Sequence, residues 1–225
     1  MEDFTGLFDG ISPEAANTWD KQIEAGRYVR GEMFLKAAKS SVSPGGYILD
    51  YGCGPGRISA LLARNGFRVL GRDPSPGMLA MAKKQNTEGL DVEFQPCSFA
   101  PKEMPSEAYD GIVCSSVIEY APDPAQFLMA LRSSLRPAGT LLISFANNLS
   151  LTRLYYNLKN RDPYQAARKN TWNWPQFREL LQANGFTADQ PPRYFYSLSD
   201  RVAPLRFLAA SRFWGGLGLV IAKKK

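Results

Sequence analysis

The sequence predicts an α/β fold, with a doubly wound, mostly parallel sheet and helices on both of its faces. Short apolar segments alternate with helical ones along the chain, which is the order of βαβ units. The apolar run at Tyr47, Ile48 and Leu49 predicts a strand buried within such a sheet. With 225 residues, of which 44% are hydrophobic and 21% charged, the chain can bury a core without disulfides or metals.

Capping and turn residues define the order of the elements. Ser12-Pro13-Glu14 has the pattern of a helix start, and this first helical region is expected to extend to Ala38. The further predicted strands are Phe67–Leu70, Val92–Phe94, Tyr109–Cys114, Thr140–Phe145, a region from Phe186 to Tyr196, and Phe213–Ala222. The predicted helices are Ile58–Ala63, Pro74–Lys84, Pro124–Leu135, Leu149–Asn160, Pro175–Asn184 and Asp200–Ser211.

The most informative segment is Tyr47–Ser59, where the first strand is followed by a glycine-rich turn and a helix start. Asp50 ends the strand, and glycines stand at positions 52, 54 and 56. Glycine allows positive φ and lets a ligand approach the backbone closely. Because the unpaired N–H groups of the next helix face the same spot, the segment predicts a cradle for a small molecule.

The glycine spacing argues against the common nucleotide loops. A dinucleotide loop needs glycine where this chain has Arg57, and the lysine of a phosphate-binding loop is absent. The Asp50 carboxylate would repel a pyrophosphate but attract a cation. In open α/β sheets, ligands bind beyond the carboxyl ends of the strands, where Asp73 also falls. Together these features favour a cationic, ribose-containing ligand.

The chain contains no histidine, which removes the commonest general base and metal ligand. Nucleophilic systems that pair serine or cysteine with histidine are therefore excluded. A zinc site would depend on the scattered Cys53, Cys97 and Cys114, so no metal site is predicted. A cytoplasmic location is expected for three reasons: the cysteines fit free thiols, the sequence starts with acidic residues, and it contains no apolar run of about 20 residues.

The charge is unevenly distributed along the chain. After position 150 there are 13 basic and 4 acidic residues. The first 150 residues contain 14 basic and 17 acidic residues. The basic half suits an anionic substrate, an anionic membrane surface at which the protein makes peripheral contact, or RNA. A solvated basic face is an equal alternative.

Four segments, in order, resemble those of the class I S-adenosylmethionine-dependent methyltransferases. They cover most of the core between about residues 40 and 146, and the closest similarity is to the ubiquinone- and menaquinone-biosynthesis type with small-molecule substrates. The segments are ILDYGCGPG (48–56), VLGRDPSPGMLAMAKK (69–84), DGIVCSSVIEYAPDP (110–124) and LRPAGTLLIS (135–144). The resemblance implies a Rossmann-like, seven-stranded sheet with an antiparallel last strand, and helical lid insertions.

The resemblance also implies S-adenosylmethionine as cofactor, S-adenosylhomocysteine as product, and a set of contacts. Asp50 would lie near the methionine ammonium, and Asp73 would accept hydrogen bonds from both ribose hydroxyls. Ser98 stands where the family often has an acid that binds the adenine amino group. The full set of implied cofactor contacts is Asp50, Tyr51, Gly52, Cys53, Gly54, Gly56, Asp73, Pro74, Met78, Ser98, Phe99 and Ser115.

Some of these residues also have structural explanations. Gly56 would permit close packing of helix against strand, and Met78 would be an ordinary core residue. Cys53 and Cys114 are interpreted as small apolar core residues rather than reactive thiols.

For a hydroxyl acceptor the reaction needs a proton acceptor, and Glu119 is the best candidate because it follows the fourth strand on the cofactor side. Tyr120 and Asp123 are second choices. Alternatively, Glu119 begins a helix or pairs with an arginine.

Acceptor specificity is expected outside the core, in segments rich in aromatic and basic residues that would cover the site. These favour an aromatic or lipophilic acceptor, with room for an anionic group. The candidate acceptor contacts are Trp19, Tyr28, Tyr155, Tyr156 and Trp172. We expect a single domain over residues 1–225, with a helical cap (1–42), a cofactor-binding core (43–146), a lid (147–175) and a segment completing the sheet (176–225).

Other functions remain open at this point. The basic half is compatible with an RNA or protein methyltransferase, although no accessory nucleic-acid motif is present and nucleic acid is disfavoured. A non-catalytic protein that binds S-adenosylmethionine is a second alternative, and a nicotinamide-dependent oxidoreductase is a weak third because of Arg57.

Overall fold

The computed structural model describes residues 29–84, 88–98, 104–151, 153–154, 168–195 and 211–225. The α-helices of these residues are α1 (Val29–Ser41), α2 (Arg57–Arg64), α3 (Pro76–Ala82), α4 (Pro124–Ser134) and α5 (Trp174–Ala183), and Ile118–Tyr120 forms a 3₁₀ turn. The strands are β1 (Tyr47–Tyr51), β2 (Arg68–Asp73), β3 (Val92–Pro96), β4 (Tyr109–Cys114), β5 (Leu135–Ala146), β6 (Phe186–Thr187), β7 (Arg193–Phe195) and β8 (Leu217–Lys224).

One sheet contains all the described strands, in the order β3-β2-β1-β4-β5-β8, with β6 and β7 beside β8. Strands β1 to β5 pair in parallel, and β8 is antiparallel to β5. The short strands β6 and β7 pair with opposite ends of β8, so the seventh position of the sheet is divided into two pieces. The doubly wound fold and the antiparallel last strand are thus confirmed.

Helices cover both faces of this sheet. On one face, Phe34 of α1 and Leu62 of α2 pack with the strands in one buried cluster. On the other face, Leu128 and Leu131 of α4 and Phe177 of α5 belong to a second cluster. Burying a side chain of this size stabilises the fold by about 2 kcal/mol. The two clusters hold the strand ends in register, which positions the loops at the carboxyl edge.

Helix α3 begins at Pro76 rather than at the predicted Pro74. Ser75 caps the helix, since its side chain accepts a hydrogen bond from the Met78 N–H at 3.1 Å. As a result, Pro74 belongs to the loop after β2, next to Asp73 at the end of that strand.

Among the strand boundaries, the starts of β5 and β8 differ most from the prediction. Strand β5 is longer than expected, because an irregularity in its pairing with β4 lets the strand continue through the turn at Ala138 (φ 60°). Strand β8 begins at Leu217 and not at Phe213, because the backbone N–H groups of Trp214 and Gly215 donate to the Ser211 carbonyl in a turn.

Several predicted elements lie outside the described residues: the start of the N-terminal helical region, most of the predicted helix Leu149–Asn160, and nearly all of Asp200–Ser211. Within the described part of the chain, no helix is long and apolar enough to cross a bilayer.

Candidate functional site

The predicted site residues gather at the carboxyl edge of the sheet. Because β1, β2, β4 and β5 are parallel, their carboxyl ends meet at the same edge. Strand order reverses between β1 and β4, and ligands of open α/β sheets bind at such a switch point.

The glycine loop between β1 and α2 is tied to the neighbouring strand. The N–H groups of Gly52 and Cys53 both donate to the Arg72 carbonyl, at 2.7 and 3.0 Å. Gly52, Gly54 and Gly56 all have positive φ, between 53° and 76°. The loop is therefore held in one conformation that glycine adopts readily.

Gly54 and Gly56 serve different purposes within this loop. A Cβ atom on Gly54 would have no atom within 4 Å, so this position borders open space. A Cβ on Gly56 would lie 2.8 Å from the Phe94 ring and from the Ala82 Cβ. The structural explanation for Gly56, close packing of helix and strand, is therefore supported.

Asp73, the last residue of β2, is fixed against this loop. Its carboxylate accepts hydrogen bonds from the Gly54 N–H at 2.8 Å and from the Ser75 N–H at 2.9 Å. Only 7% of the residue is exposed. The acid is thus oriented at the mouth of the loop before any ligand binds.

Asp50 is a buried acid with one unpaired oxygen. The Ser59 hydroxyl donates to its Oδ2 at 2.6 Å, while its buried Oδ1 has no hydrogen-bond partner in the described part of the chain. Burial raises the pKa of Asp50 to about 7; the charge of Asp73 adds to this rise and the Ser59 hydrogen bond opposes it. Asp50 is therefore poised to ionise when a cation arrives at Oδ1.

A second group of unpaired polar atoms follows β4. The hydroxyl oxygens of Ser115 and Ser116 are buried and have no hydrogen-bond partner among the described residues. Ser116 has a φ of 57°, and its N–H donates to the Ser144 hydroxyl at 2.9 Å. This link connects the end of β4 to β5 and turns the chain towards Glu119.

Glu119 lies in the 3₁₀ turn after β4 and is fully buried. Neither of its carboxylate oxygens has a hydrogen-bond partner within the described ranges. Burial raises the pKa of Glu119, and the positive charges of Arg168, Arg153 and Arg30 oppose that rise. Three arginines from separate parts of the chain thus act electrostatically on one buried carboxylate.

The end of the predicted lid is attached to this turn. The N–H groups of Lys169 and Asn170 donate to the Glu119 carbonyl at 2.9 and 3.0 Å, and the Asn170 side-chain amide donates to the Ala121 carbonyl. Trp172 lies beside the end of β5, where its N–H donates to the Ala146 carbonyl. Its ring packs 5.3 Å from the Phe177 ring of α5.

The remaining predicted cofactor contacts are placed as follows. The Tyr51 ring packs edge-on against Phe127, and its hydroxyl donates to the Ser98 carbonyl at 2.8 Å. Met78 is buried and Pro74 is partly buried. The burial of Met78 is compatible both with a core role and with contact to adenine. Tyr120 is buried next to Glu119. The predicted residues outside the described ranges are Trp19, Tyr28, Phe99, Tyr155 and Tyr156.

The three cysteines are free thiols. Burial raises the pKa of Cys97 to about 12, and it raises the pKa values of Cys53 and Cys114 well above the ordinary range. For the buried Cys53 and Cys114, this supports their interpretation as small apolar core residues rather than reactive thiols.

Sequence reasoning missed several residues that shape the site. Ser59 holds Asp50, Ser116 contributes an unpaired hydroxyl, and Asn170 fixes the lid to the turn after β4. Ser116 could have been found as the neighbour of the predicted Ser115. The other two carry no local signal, since their partners lie nine and 49 residues away.

The sheet order and the acid-lined glycine loop define a Rossmann-like, cofactor-binding α/β domain. The sequence model of the methyltransferase domain family matches residues 26–190, which is most of the chain. The chain therefore belongs to the methyltransferase domain family, as its sequence motifs predicted.

Individual relatives support the same family. A ubiquinone biosynthesis O-methyltransferase of Xanthomonas campestris pv. campestris (strain B100) is 34% identical over 107 residues, covering 46% of this chain and 44% of the relative. A ubiquinone biosynthesis O-methyltransferase of Dinoroseobacter shibae is 28% identical over 184 residues, covering 73% of this chain and 72% of the relative. In the Xanthomonas case the match spans less than half of the relative's length.

Solved structures share the fold. The magnesium protoporphyrin IX methyltransferase of Synechocystis PCC 6803, solved with bound SAH, has a TM-score of 0.70 at 21% identity, covering 99% of this chain and 100% of its own. An S-adenosylmethionine-dependent methyltransferase of Mesorhizobium loti has a TM-score of 0.67 at 18% identity, with 85% and 96% covered. At these identities the similarity establishes the fold.

Proposed function

We propose that this protein binds S-adenosylmethionine and transfers its methyl group to a small-molecule acceptor. The observation that carries the proposal is a pair of buried acids near the point where the sheet order reverses: Asp50 in β1 and Glu119 in the 3₁₀ turn after β4. Among the described residues, Asp50 Oδ1 and both Glu119 carboxylate oxygens have no hydrogen-bond partner. Buried acids of this kind are costly unless a ligand or a proton satisfies them.

The residues at this edge fit the cofactor. The unpaired Oδ1 of Asp50 suits a cationic ammonium, and the open space at Gly54 leaves room for a ligand against the backbone. Asp73 would hold the ribose, because carboxylate oxygens accept more than one hydrogen bond. Ser115 would complete the methionine side of the site. Pro74, Met78, Ser98 and Phe99 would form the adenine side.

Bound there, S-adenosylmethionine would supply an activated methyl group on a sulfonium. The chain aligns the acceptor with this group and excludes water, which together contribute several kcal/mol. Glu119 accepts the acceptor's proton; because burial raises its pKa, its basicity is closer to that needed at neutral pH. Tyr120, its buried neighbour, is the second candidate for this role.

For the acceptor we propose a small molecule with a hydroxyl group, because the two relatives are ubiquinone biosynthesis O-methyltransferases. The positive charges of the arginines near Glu119 would suit an anionic group on the acceptor. Residues 1–42 and 147–175 would cover the site as cap and lid, with Trp172 as one wall, and we place the reaction in the cytoplasm.

Two measurements on the same protein test this proposal. Calorimetry with S-adenosylhomocysteine measures binding, and mass spectrometry of a panel of phenolic acceptors incubated with S-adenosylmethionine detects methylated product. We expect binding and turnover for the wild type, and a loss of affinity of at least about 30-fold for Asp73→Asn. Asp91→Asn, the same change in an exposed ion pair at the start of β3, is the matched control.

Binding without turnover on any acceptor would instead identify a non-catalytic binding protein. Absence of binding would overturn the proposal as a whole.

A further inference from the structure

Tyr51 connects two strand ends that are not neighbours in the sheet. It is the last residue of β1, and its hydroxyl donates to the Ser98 carbonyl at 2.8 Å. Ser98 follows the end of β3, and β2 lies between β1 and β3 in the sheet. The tyrosine side chain therefore reaches across the end of β2 and ties the chain after β3 to the strand that precedes the glycine loop.

The surroundings of Tyr51 fix the position of this hydroxyl. The residue is only 2% exposed, and its ring packs edge-on against the Phe127 ring of α4 with the centroids 5.5 Å apart. Burial raises the pKa of the Tyr51 hydroxyl, so the hydroxyl keeps its proton and remains a donor at neutral pH. Because both the ring and the donor are held in place, the position of the Ser98 carbonyl is held as well.

We refer to Pro96, Cys97 and Ser98 as the β3 exit, and each of these three residues is tied to a neighbouring strand. The Arg72 guanidinium donates to the Pro96 carbonyl at 3.1 and 3.3 Å. The Cys97 N–H donates to the Asp73 carbonyl at 3.2 Å. These two ties come from β2, whereas the tie at the exposed Ser98 comes from the tyrosine of β1. The β3 exit is thereby held beside the acid that ends β2.

We propose that Tyr51 is a positioning residue that sets the selectivity of the site for adenine by holding Ser98 in place. The inference rests on the proposed function, in which Asp73 holds the ribose and Ser98 lies on the adenine side. The amino group of adenine is a donor, and Ser98 carries a carbonyl and a hydroxyl oxygen that suit a donor. A carbonyl oxygen has two lone pairs, so it can accept from the base as well as from Tyr51. Without the tyrosine hydroxyl, these oxygens lose their fixed position relative to the ribose.

Calorimetry of the full chain with two ligands tests this inference. The ligands are S-adenosylhomocysteine and S-inosylhomocysteine, in which an oxo group replaces the amino group of the base. The wild type should prefer S-adenosylhomocysteine by at least about tenfold. Tyr51→Phe keeps the ring and removes the hydroxyl, so its affinity for S-adenosylhomocysteine should fall by about fivefold, while its affinity for S-inosylhomocysteine stays within about twofold. A merely structural role of Tyr51 would weaken both ligands alike.

Tyr109→Phe is the matched control. Tyr109 is also 2% exposed and belongs to the same buried cluster, but it begins β4 at the opposite edge of the sheet. This variant should show the wild-type preference between the two ligands. Tyr51→Met fills the space of the ring without a hydroxyl and is the second variant, which should lose the preference as Tyr51→Phe does. Circular dichroism confirms that each variant is folded.

An unchanged preference in Tyr51→Phe would overturn the inference and leave the proposed function standing. An equal loss of affinity for both ligands would have the same consequence, as would a wild type that binds S-adenosylhomocysteine no better than S-inosylhomocysteine. If the wild type binds neither ligand, the proposed function fails and this inference fails with it.

Discussion

Asp50 and Glu119 are both fully buried acids, but the charges that act on them have opposite signs. Asp50 is close enough to Asp73 for the negative charge of one to disfavour ionisation of the other. Glu119 is surrounded by arginines that favour its ionised form against burial. With a pKa of about 7, Asp50 can carry a proton at neutral pH that a cationic ligand displaces. At Glu119, burial also raises the pKa, and the arginines limit that rise.

The pKa of Asp50 predicts a pH dependence of cofactor binding. A cation at Oδ1 lowers the pKa of Asp50 from about 7, so the complex binds fewer protons than the free protein. Affinity for S-adenosylmethionine should therefore rise with pH, by up to about tenfold per unit, and level off above about pH 7. Calorimetry in buffers of different ionisation enthalpy should detect the released proton.

The control for this prediction is Asp50→Asn, which retains an oxygen to accept from Ser59 but cannot ionise. Its affinity should be lower and nearly independent of pH in the same range. A wild-type affinity that stays constant from acidic to neutral pH would contradict the assigned role of Asp50.

Substitution of Glu119 tests the proposed proton transfer. Glu119→Gln should reduce kcat by about 100-fold or more, because general bases typically contribute that much, while S-adenosylhomocysteine affinity stays within about twofold. The pH profile of kcat should also lose its acidic limb, which a purely structural role would not change. Glu179→Gln, an exposed residue of α5, is the control, and unchanged turnover of Glu119→Gln would refute the role.

At the scale of the elements, the conformation of the glycine loop depends on the strands and helix that contact it. Its two N–H bonds to Arg72 and the bond from Gly54 to Asp73 join it to β2, and its packing at Gly56 joins it to α3 and β3. The loop is thus shaped by three elements that are distant in sequence.

Alanine at the two glycines should separate packing from ligand binding. Gly56→Ala places a Cβ 2.8 Å from the Phe94 ring at a φ of 76°, so it should lower the free energy of unfolding by about 2–3 kcal/mol. Gly54→Ala meets no atom within 4 Å and should cost only about 1 kcal/mol of backbone strain, but it should weaken cofactor binding. Urea unfolding and calorimetry measure the two effects, and equal stabilities of the two variants would contradict this division.

At the scale of the whole molecule, Asn147 joins the end of β5 to the segment that precedes β8. Its side chain is fully buried and donates to two carbonyls, and its Oδ1 accepts from the Leu149 N–H at 3.2 Å. The same residue thereby links the end of β5, the start of the predicted lid and the segment that precedes β8.

Loss of the Asn147 side chain should lower the stability of the whole domain. Asn147→Ala removes the donor to one buried and one partly buried carbonyl, so the free energy of unfolding should fall by about 2–4 kcal/mol in urea titrations. The neighbouring Asn148→Ala removes only an exposed contact to Gln176 and should cost less than about 0.5 kcal/mol. Similar values for the two variants would show that the linkage through Asn147 is unimportant.

Much of this architecture could be predicted because it is encoded locally. The apolar run before Asp50, the glycines after it and the acid at the end of β2 each specify a strand end or a turn within a few residues, and parallel pairing then brings Asp50 and Asp73 to one edge. The segment from Tyr109 to Cys114 was predicted with the boundaries that the structure has. Helix ends were less well predicted where a single cap such as Ser75 decided them.

The sequence by itself therefore determined the family, the order of the strands along the chain and the edge at which the site lies. Only the tertiary structure decided which atoms are paired there: Asp50 to Ser59, Asp73 to Gly54, and Lys169 to the Glu119 carbonyl. Among the described residues, it leaves both Glu119 carboxylate oxygens without a hydrogen-bond partner. The physical reason is that strand and turn preferences act over a few neighbouring residues, whereas burial and hydrogen bonding depend on how distant elements pack. That packing buries Asp50 and Glu119, and burial raises the pKa values of both acids.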